Sequence, residues 1–244
     1  MKIEKIIKAL VEQKKINLPG NLYHRTQVDF AYNTNHLEGS TITVEETASI
    51  YDTGTILTES NKVIVLKDAT ETKNHFTLFK YMLDTLNLKL DETMIKKFHF
   101  ILKDGTLNEN EFEWFNVGEY KKIKNYVGNI TTSTPKKVQT DMINLLTWYD
   151  NIKNKSIEDI IEFHVKFEQI HPFQDGNGRV GRIIMFRECL INNIMPFYIE
   201  DRNKDFYIRG IKEYQLNNIK GYLIDTIKNS QDNYEKLAKY FLED

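Results

Sequence analysis

The stretch from His171 to Arg182, HPFQDGNGRVGR, gathers residue types whose spacing could do chemistry. Its Asp-Gly-Asn-Gly core tolerates positive φ angles, so consecutive backbone N–H groups can face one concavity. The N-terminus of the helix that follows adds its partial positive charge to that concavity. The stretch therefore predicts an anion site, and phosphates are its natural ligands.

Side chains around this loop extend the prediction to catalysis. Arg179 and Arg182 are three residues apart and share a helix face, where two cations are unfavourable unless an anion compensates them. Asp175 is a hard oxygen ligand that suits Mg²⁺ bridging phosphates, and His171 can act as a general base near neutral pH. Together these residues indicate phosphoryl or nucleotidyl transfer.

The loop lies between two predicted helices in a chain whose pattern is mostly helical. Only 4 prolines interrupt its 244 residues, and apolar residues recur at helical spacing over most of its length. Ser156 is an N-cap candidate for the preceding helix, and Thr43 with Glu46 forms a capping-box pattern upstream. One segment, residues 118–138, mixes polar and apolar residues around a central Gly-Asn pair and predicts a short β-hairpin.

Composition and charge argue against several classes of protein. Basic and acidic residues nearly cancel, 33 against 35, so no bulk charge points to nucleic acid or a membrane surface. The single cysteine, Cys189, cannot form an internal disulfide and fits a reducing compartment. No apolar run approaches the roughly 18 residues that span a bilayer, and the charged N-terminus lacks the apolar core of a secretory signal. We expect a soluble, cytoplasmic protein with neither nucleic acid nor a membrane among its partners.

The stretch from His171 to Arg182 resembles the signature of the Fic-domain family, HxFx[D/E]GNGRxxR, and meets every specified position. The resemblance implies an all-α Fic fold, a helical bundle with a short β-hairpin flap. It also implies three parts in one globular unit: an N-terminal helical region over 1–89 with an inhibitory helix at about 24–38, a Fic core over 90–217, and a C-terminal helix over 218–244 packed on the core.

Most known members of this family transfer AMP from ATP to a protein hydroxyl, and the resemblance implies the same here. His171 is then expected to deprotonate a target Ser, Thr or Tyr hydroxyl, and Asp175 to hold Mg²⁺ on the α- and β-phosphates. The other phosphate ligands that the resemblance implies are Gly176, Asn177 and Gly178 in the loop, Arg179 at the β-phosphate and Arg182 at the γ-phosphate. The target is expected as an extended segment along the flap at about 122–134, with this chain itself a further candidate target.

The nucleobase pocket is less clearly specified. The family usually places a tyrosine and, two helical turns on, an asparagine against the adenine. Here Tyr207 occupies the first place, but Tyr214 stands where the asparagine is expected. Adenine is therefore the default base, and another nucleotide stays open.

A second resemblance lies upstream, where residues 34–39, TNHLEG, match the inhibitory motif [S/T]xxxE[G/N] of many Fic proteins. The spacing puts Thr34 and Glu38 on one helical face, and Glu38 lies at a helix C-terminus, where its charge opposes the dipole. In the family, the partner of this glutamate is the last arginine of the signature, which is Arg182 here. The resemblance implies that Glu38 keeps Arg182 from the γ-phosphate, so that the transferase is autoinhibited.

Other interpretations stay open on the sequence alone. The same site could run in reverse, with a water positioned by Glu38 releasing AMP from a modified protein, which would make the chain a phosphodiesterase. It could also be a non-catalytic nucleotide-binding module, although the intact His171 and Asp175 argue against that. The predicted hairpin could be purely structural, and His164 is better explained as a hydrogen-bonded structural residue than as a metal ligand.

Overall fold

Helices form most of the structure, as the spacing of apolar residues predicts. The computed structural model describes residues 1–16, 18–58, 61–106, 112–128 and 130–243. Within those ranges the fold consists of ten α-helices, one 3₁₀ turn and one two-stranded antiparallel sheet. None of these helices combines the length and the apolar character that a membrane crossing requires.

The elements follow one another in a simple order along the chain. Within the described residues, five helices precede the sheet: α1 (Ile3–Ile16), α2 (Leu22–Leu37), α3 (Val44–Thr53), α4 (Leu66–Asp84) and α5 (Glu92–Lys103). The sheet pairs β1 (Tyr126–Val127) with β2 (Ile130–Thr131). It is followed by α6 (Pro135–Asp150), α7 (Ile157–Ile170), α8 (Asn177–Ile191), the 3₁₀ turn (Asp201–Asn203), α9 (Lys204–Asn217) and α10 (Gly221–Leu242).

Helix α8 is the centre of the bundle. Every residue from Arg179 to Leu190 is buried, and a helix that is buried on all sides belongs in the middle of a core. The ring of Phe186 contacts three rings from other helices, those of Phe30, Phe79 and Tyr234. Helices α2, α4 and α10 therefore pack around α8, and the loop at its start is fixed by the whole core.

Local sequence signals set the helix ends near the site. The predicted capping box of Thr43 and Glu46 is present, and Ser156 caps α7 as predicted. Helix α7 ends at Ile170, and α8 begins at Asn177. Only the six residues 171–176 separate the two helices, so the loop has little freedom to move.

The predicted hairpin forms a flap over the end of α7 and the start of α8. Its register places Tyr126 opposite Thr131 and Val127 opposite Ile130. Gly128 adopts a left-handed conformation at the turn, with φ 56°, while Asn129 of the predicted Gly-Asn pair lies outside the described residues. The hairpin is thus a tight two-stranded projection whose first strand is exposed.

Lys121 anchors the base of this flap. Its Nζ donates to Asn125 Oδ1 at 2.6 Å, to Thr132 Oγ1 at 2.9 Å and to the carbonyl of Ile170 at 3.2 Å. Burial lowers the pKa of Lys121 to about 8. One buried amine therefore ties both arms of the flap to the last turn of α7.

Candidate active site

His171 ends α7 in a left-handed conformation, with φ 50°. Its backbone N–H donates to the carbonyl of Phe167 at 2.8 Å, which closes the helix and turns the chain into the loop. The next carbonyl, that of Pro172, accepts the backbone N–H of Lys121 at 2.8 Å. The imidazole of His171 is 18% exposed, so it is held between α7 and the flap base with one side open.

Asn177 braces the loop from inside. Its Oδ1 accepts the N–H of Phe173 at 2.8 Å, and its Nδ2 donates to the carbonyl of the same residue at 2.9 Å. These two bonds fold residues 173–177 into a closed turn. The amide of Asn177 is therefore engaged within the loop, and the phosphate contact implied for it stays a prediction.

His99 of α5 supports the loop from below. Its ring stacks on Phe173 with the centroids 4.0 Å apart. Its Nδ1 accepts the N–H of Gly118 at 2.9 Å, so Nε2 carries the proton and donates to the carbonyl of Asp175 at 3.1 Å. Burial lowers the pKa of His99 to about 3, which keeps the ring neutral. No sequence pattern singled out this residue.

Asp175 is surrounded by cations. Lys103 Nζ lies 2.8 Å and Lys67 Nζ 3.0 Å from its Oδ2, and Arg179 Nη2 lies 3.7 Å from its Oδ1. The N–H of Gly176 donates to Oδ1 at 2.7 Å. Burial would raise the pKa of Asp175, but these cations hold it far below its ordinary value. The residue is therefore a carboxylate at neutral pH.

Glu71 of α4 balances the most buried of these cations. Its carboxylate contacts both Lys103 and Arg179, and the three side chains are at most 4% exposed. Asn35 of α2 also accepts from Arg179, at 3.2 Å. Arg179 is thus fixed beneath the loop by two helices of the N-terminal region.

Arg182 is held by the last turn of α2. Its Nε donates to Thr34 Oγ1 at 2.7 Å, and its Nη2 donates to the Thr34 carbonyl at 3.1 Å and to Glu38 Oε1 at 2.6 Å. Arg182 is 5% exposed, whereas Glu38 is 35% exposed. Gly178 leaves room for this pair, since a Cβ there would collide with both side chains. Thr34 and Glu38, the two residues of the upstream motif, therefore both contact Arg182.

A cavity of about 440 Å³ lies over the loop. The predicted site residues that line it are Glu38, His171, Asp175, Gly176, Asn177, Gly178, Arg182 and Tyr207. The flap and α9 form its other walls through Val127, Gly128, Ile130, Ile208, Ile211 and Lys212. Three predicted residues are missing from the described lining, namely Thr34, Arg179 and Tyr214. Thr34 and Arg179 are buried beneath the cavity, and the β-phosphate contact implied for Arg179 stays a prediction.

The two tyrosines proposed for the nucleobase are in different surroundings. Tyr207 lines the cavity, its hydroxyl is 2.5 Å from His164 Nε2, and its ring centroid is 5.9 Å from Arg182 Cζ. Tyr214 is buried at the far end of α9, where its hydroxyl donates to Glu162 at 3.1 Å. The structure brings Tyr207 to the cavity but not Tyr214, so a role for Tyr214 at the base has no contact to support it.

Comparison with known families bears directly on this loop. Residues 89–189 match the model of the Fic/DOC family. They form a Fic/DOC family domain. This Fic domain takes in α5, the flap, α6, α7 and most of α8, including the whole 171–182 loop. Glu38 and Glu71, which contact Arg182 and Arg179, lie outside the matched residues.

Proteins related to this chain are named as adenylyltransferases. Over 201 residues the chain is 25% identical to the protein adenylyltransferase Fic of Nematostella vectensis, covering 79% of this chain and 44% of that protein. Over 109 residues it is 35% identical to a probable protein adenylyltransferase of Aquifex aeolicus, covering 43% of this chain and 33% of that protein. The chain spans less than half the length of these curated relatives.

Solved structures share the fold. A Fic domain containing signaling protein from Bacteroides thetaiotaomicron matches with a TM-score of 0.74 and 20% identity, over 97% of this chain and 95% of that one. Fic-1 of Caenorhabditis elegans matches with a TM-score of 0.70 and 18% identity, over 98% and 72% of the two chains. These likenesses confirm the predicted fold, a helical bundle with a short hairpin flap.

The Glu71 network leads to a prediction about stability. In Glu71→Gln, Lys103 and Arg179 lose their shared buried carboxylate, and breaking a buried pair on one side costs about 3–5 kcal/mol. We expect a fall of that order in the free energy of unfolding measured with urea. The control is Glu12→Gln on the exposed face of α1, which makes the same change in net charge and should stay within about 0.5 kcal/mol of wild type. Equal losses in the two variants would contradict the role assigned to Glu71.

Proposed function

We propose that this chain transfers AMP from ATP to a Ser, Thr or Tyr hydroxyl of a target protein, and that Glu38 restrains the reaction. The observation that best supports this is the convergence of different groups on one cavity. His171, the glycine loop at the start of α8, Arg182 and the flap all line the same space. The names of the related proteins support the same reaction.

In the proposed reaction His171 is the general base. The target hydroxyl oxygen attacks the α-phosphorus of ATP, its proton passes to His171, and the bond to the departing pyrophosphate breaks. The backbone N–H groups at the start of α8 face the phosphates with the positive end of the helix dipole. Positioning and charge stabilisation supply most of the acceleration in such transfers.

We include Mg²⁺ as the cofactor, held by Asp175. The carboxylate of Asp175 is 34% exposed and lines the cavity, and no group of three or more His, Cys, Asp or Glu in the described ranges offers a metal cage. A single carboxylate fits Mg²⁺ that takes its other ligands from water and substrate phosphates. When bound, the ion would neutralise charge on those phosphates. Lys103 and Lys67 both contact Oδ2 of Asp175. Lys103 is fully buried, whereas Lys67 is 30% exposed and therefore more accessible.

Autoinhibition is proposed to act on Arg182. Thr34 and Glu38 engage its Nε and Nη2, the donors that a γ-phosphate would otherwise use. A γ-phosphate beside the Glu38 carboxylate would also meet a like charge at short range. ATP must therefore displace Glu38 or bind without this arginine, whereas ADP has no γ-phosphate to place.

The flap is proposed to dock the target. Tyr126 is 70% exposed and Val127 38% exposed, so β1 presents an open strand beside the cavity. An extended target segment can pair with such an edge through backbone hydrogen bonds. Docking along residues 122–134 would bring a target hydroxyl towards His171, and this chain is itself a candidate target.

Removal of AMP is a second candidate function. Glu38 lines the cavity with its carboxylate 35% exposed, so it can face a water molecule as well as Arg182. The same base and loop would then hydrolyse an AMP-modified protein. Loss of AMP release from a modified target in Glu38→Gly would favour this reaction over transfer.

We also propose a cytoplasmic location. The single cysteine, Cys189, is buried and free, and burial raises the pKa of its thiol. A protonated, buried thiol is compatible with a reducing compartment.

The first functional prediction concerns transfer itself. The experiment compares three proteins: wild type, Glu38→Gly, and the double variant with His171→Ala in the Glu38→Gly background. Each is incubated with ATP, Mg²⁺ and a cell lysate, and mass spectrometry locates the residues that gain the mass of one AMP. We expect more transfer in Glu38→Gly than in wild type. His171→Ala should reduce transfer by about 10²–10⁴ while nucleotide still binds. Undiminished transfer by His171→Ala would overturn the assignment of the base.

The second prediction separates ATP from ADP. Calorimetry should show that Glu38→Gly binds ATP more tightly than wild type does, because Arg182 is free, while ADP binds both proteins with similar affinity. Arg182→Ala also breaks the Glu38 contact, yet it removes the γ-phosphate partner, so it should not gain ATP affinity. Equal ATP affinity in wild type and Glu38→Gly would mean that the Glu38–Arg182 contact does not restrain ATP binding.

The third prediction concerns the metal. Lys67→Met removes a cation from Asp175, and one unit charge a few ångströms away is worth about 1 kcal/mol in water. We expect about fivefold tighter binding of Mn²⁺, followed through the electron paramagnetic resonance signal of the free ion, and no specific binding in Asp175→Asn. The control is Lys73→Met, an exposed lysine on the same helix α4, which should leave the Mn²⁺ affinity unchanged. Unchanged Mn²⁺ binding in Asp175→Asn would mean that another residue holds the ion.

A further inference from the structure

Glu168 is a buried carboxylate that faces the candidate base. It lies three residues before His171 on α7 and lines the same cavity. Its side chain is only 12% exposed, and its Oε2 lies 3.7 Å from His171 Nδ1. Within the described part of the chain, neither Glu168 Oε1 nor His171 Nδ1 has a hydrogen-bond partner. The Glu168 carboxylate, of which one oxygen has no partner, therefore lies slightly beyond hydrogen-bond distance of the unpartnered Nδ1 of His171.

Glu168 is charged despite its burial. Burial would raise the pKa of the Glu168 carboxyl, but His171, His164 and Arg182 outweigh it and hold that pKa below the ordinary value. A buried carboxylate without a donor is costly, because its lost hydration is not replaced. Histidine N–H groups are the donors within reach.

His164 faces the same carboxylate from the other side. A Cβ at Gly181 would lie 2.5 Å from His164 Nδ1 and 3.4 Å from Glu168 Oε1, so both atoms lie above the bare α-carbon of Gly181. His164 Nε2 is 2.5 Å from the hydroxyl of Tyr207. If Tyr207 donates there, His164 carries its proton on Nδ1, towards Glu168. Burial lowers the pKa of His164 to about 4, so this ring stays neutral.

We propose that Glu168 is a positioning residue for His171: its carboxylate accepts the Nδ1–H of His171 and so leaves the lone pair of Nε2 facing the cavity. A small rotation of the imidazole closes the 3.7 Å separation to a hydrogen bond. When His171 takes the proton of a target hydroxyl, the resulting imidazolium is stabilised by the adjacent negative charge. This is the part that a carboxylate plays behind a catalytic histidine in other enzymes.

The proposal rests on the proposed function only for the step in which the target hydroxyl loses its proton. The tautomer and the titration of His171 can be measured without any transfer. The charged or titratable groups that act on Glu168 are His171, His164, Arg182 and Tyr207. Arg182 is paired with Glu38, whereas the Glu168 carboxylate lies 3.7 Å from His171 Nδ1.

The first test uses the wild-type chain alone. Nitrogen-15 chemical shifts of the histidine rings at high pH report which nitrogen carries the proton, and the His171 signals are those missing from His171→Ala. We expect His171 to be protonated on Nδ1. Predominant protonation on Nε2 would overturn the proposal, because Nε2 would then have no lone pair to act as a base.

The second test compares Glu168→Gln with Glu158→Gln, an exposed glutamate on the same helix. Loss of the carboxylate disfavours the imidazolium, so the pKa of His171 should fall by about 1 unit in Glu168→Gln and stay unchanged in Glu158→Gln. Because a base must be neutral to act, the acidic limb of the transfer rate in the Glu38→Gly background should move to lower pH by the same amount. The plateau rate should fall at least tenfold, because the base is weaker and less well oriented.

Glu168→Asp is the control that distinguishes loss of charge from a folding defect in Glu168→Gln. It keeps the charge, so the pKa of His171 should remain closer to wild type than in Glu168→Gln, with a lower rate from the shorter side chain. An unchanged His171 titration in Glu168→Gln would refute the proposal, as would equal shifts in Glu168→Gln and Glu168→Asp. Absence of transfer in every variant would count against the proposed function alone, since the titration is read without it.

Discussion

Two arginines buried at the start of α8 require carboxylates beside them, and the arrangement of the site depends on that requirement. Arg179 and Arg182 are 3% and 5% exposed, and an unpaired buried cation costs several kcal/mol. Their partners are Glu71 on α4 and Glu38 at the end of α2. Helices that precede the matched 89–189 stretch therefore complete the charge balance inside it, and the loop depends on the N-terminal region for its electrostatics.

The two pairs have the same chemistry but different access. Glu71 is 4% exposed beneath the loop, whereas Glu38 is 35% exposed and lines the cavity. An anion that enters the cavity can compete with Glu38 for Arg182, but it cannot reach Glu71 without opening the core. One pair is consequently a fixed part of the fold, and the other can exchange with a ligand. Burial, rather than residue type, separates the contact that the core encloses from the contact that a ligand can reach.

Sequence patterns predicted what is local and missed what is distant. The predicted caps and hairpin follow from neighbouring residues, and the structure confirms them. Glu71 and Arg179 lie 108 residues apart, and no periodicity reports which helix faces which; only the family resemblance linked Glu38 to Arg182. Tyr214 shows another limit. Seven residues bring it back to nearly the same face of α9 as Tyr207, about 10 Å further along the axis, where its hydroxyl contacts Glu162 of α7 and not the cavity.

The glycines of the loop show how one spacing can serve two purposes. Only Gly176, with φ 82°, supplies the left-handed turn that the sequence suggested. Gly178 and Gly181 lie within α8, and what matters there is the missing side chain. A Cβ at Gly178 would collide with Glu38, and one at Gly181 would collide with His164, 2.5 Å from its Nδ1, and would lie 3.4 Å from Glu168 Oε1. Spaced three residues apart, the two glycines leave room beside α8 for Glu38 at the end of α2, which contacts Arg182, and for His164 and Glu168 of α7, of which Glu168 lies 3.7 Å from His171.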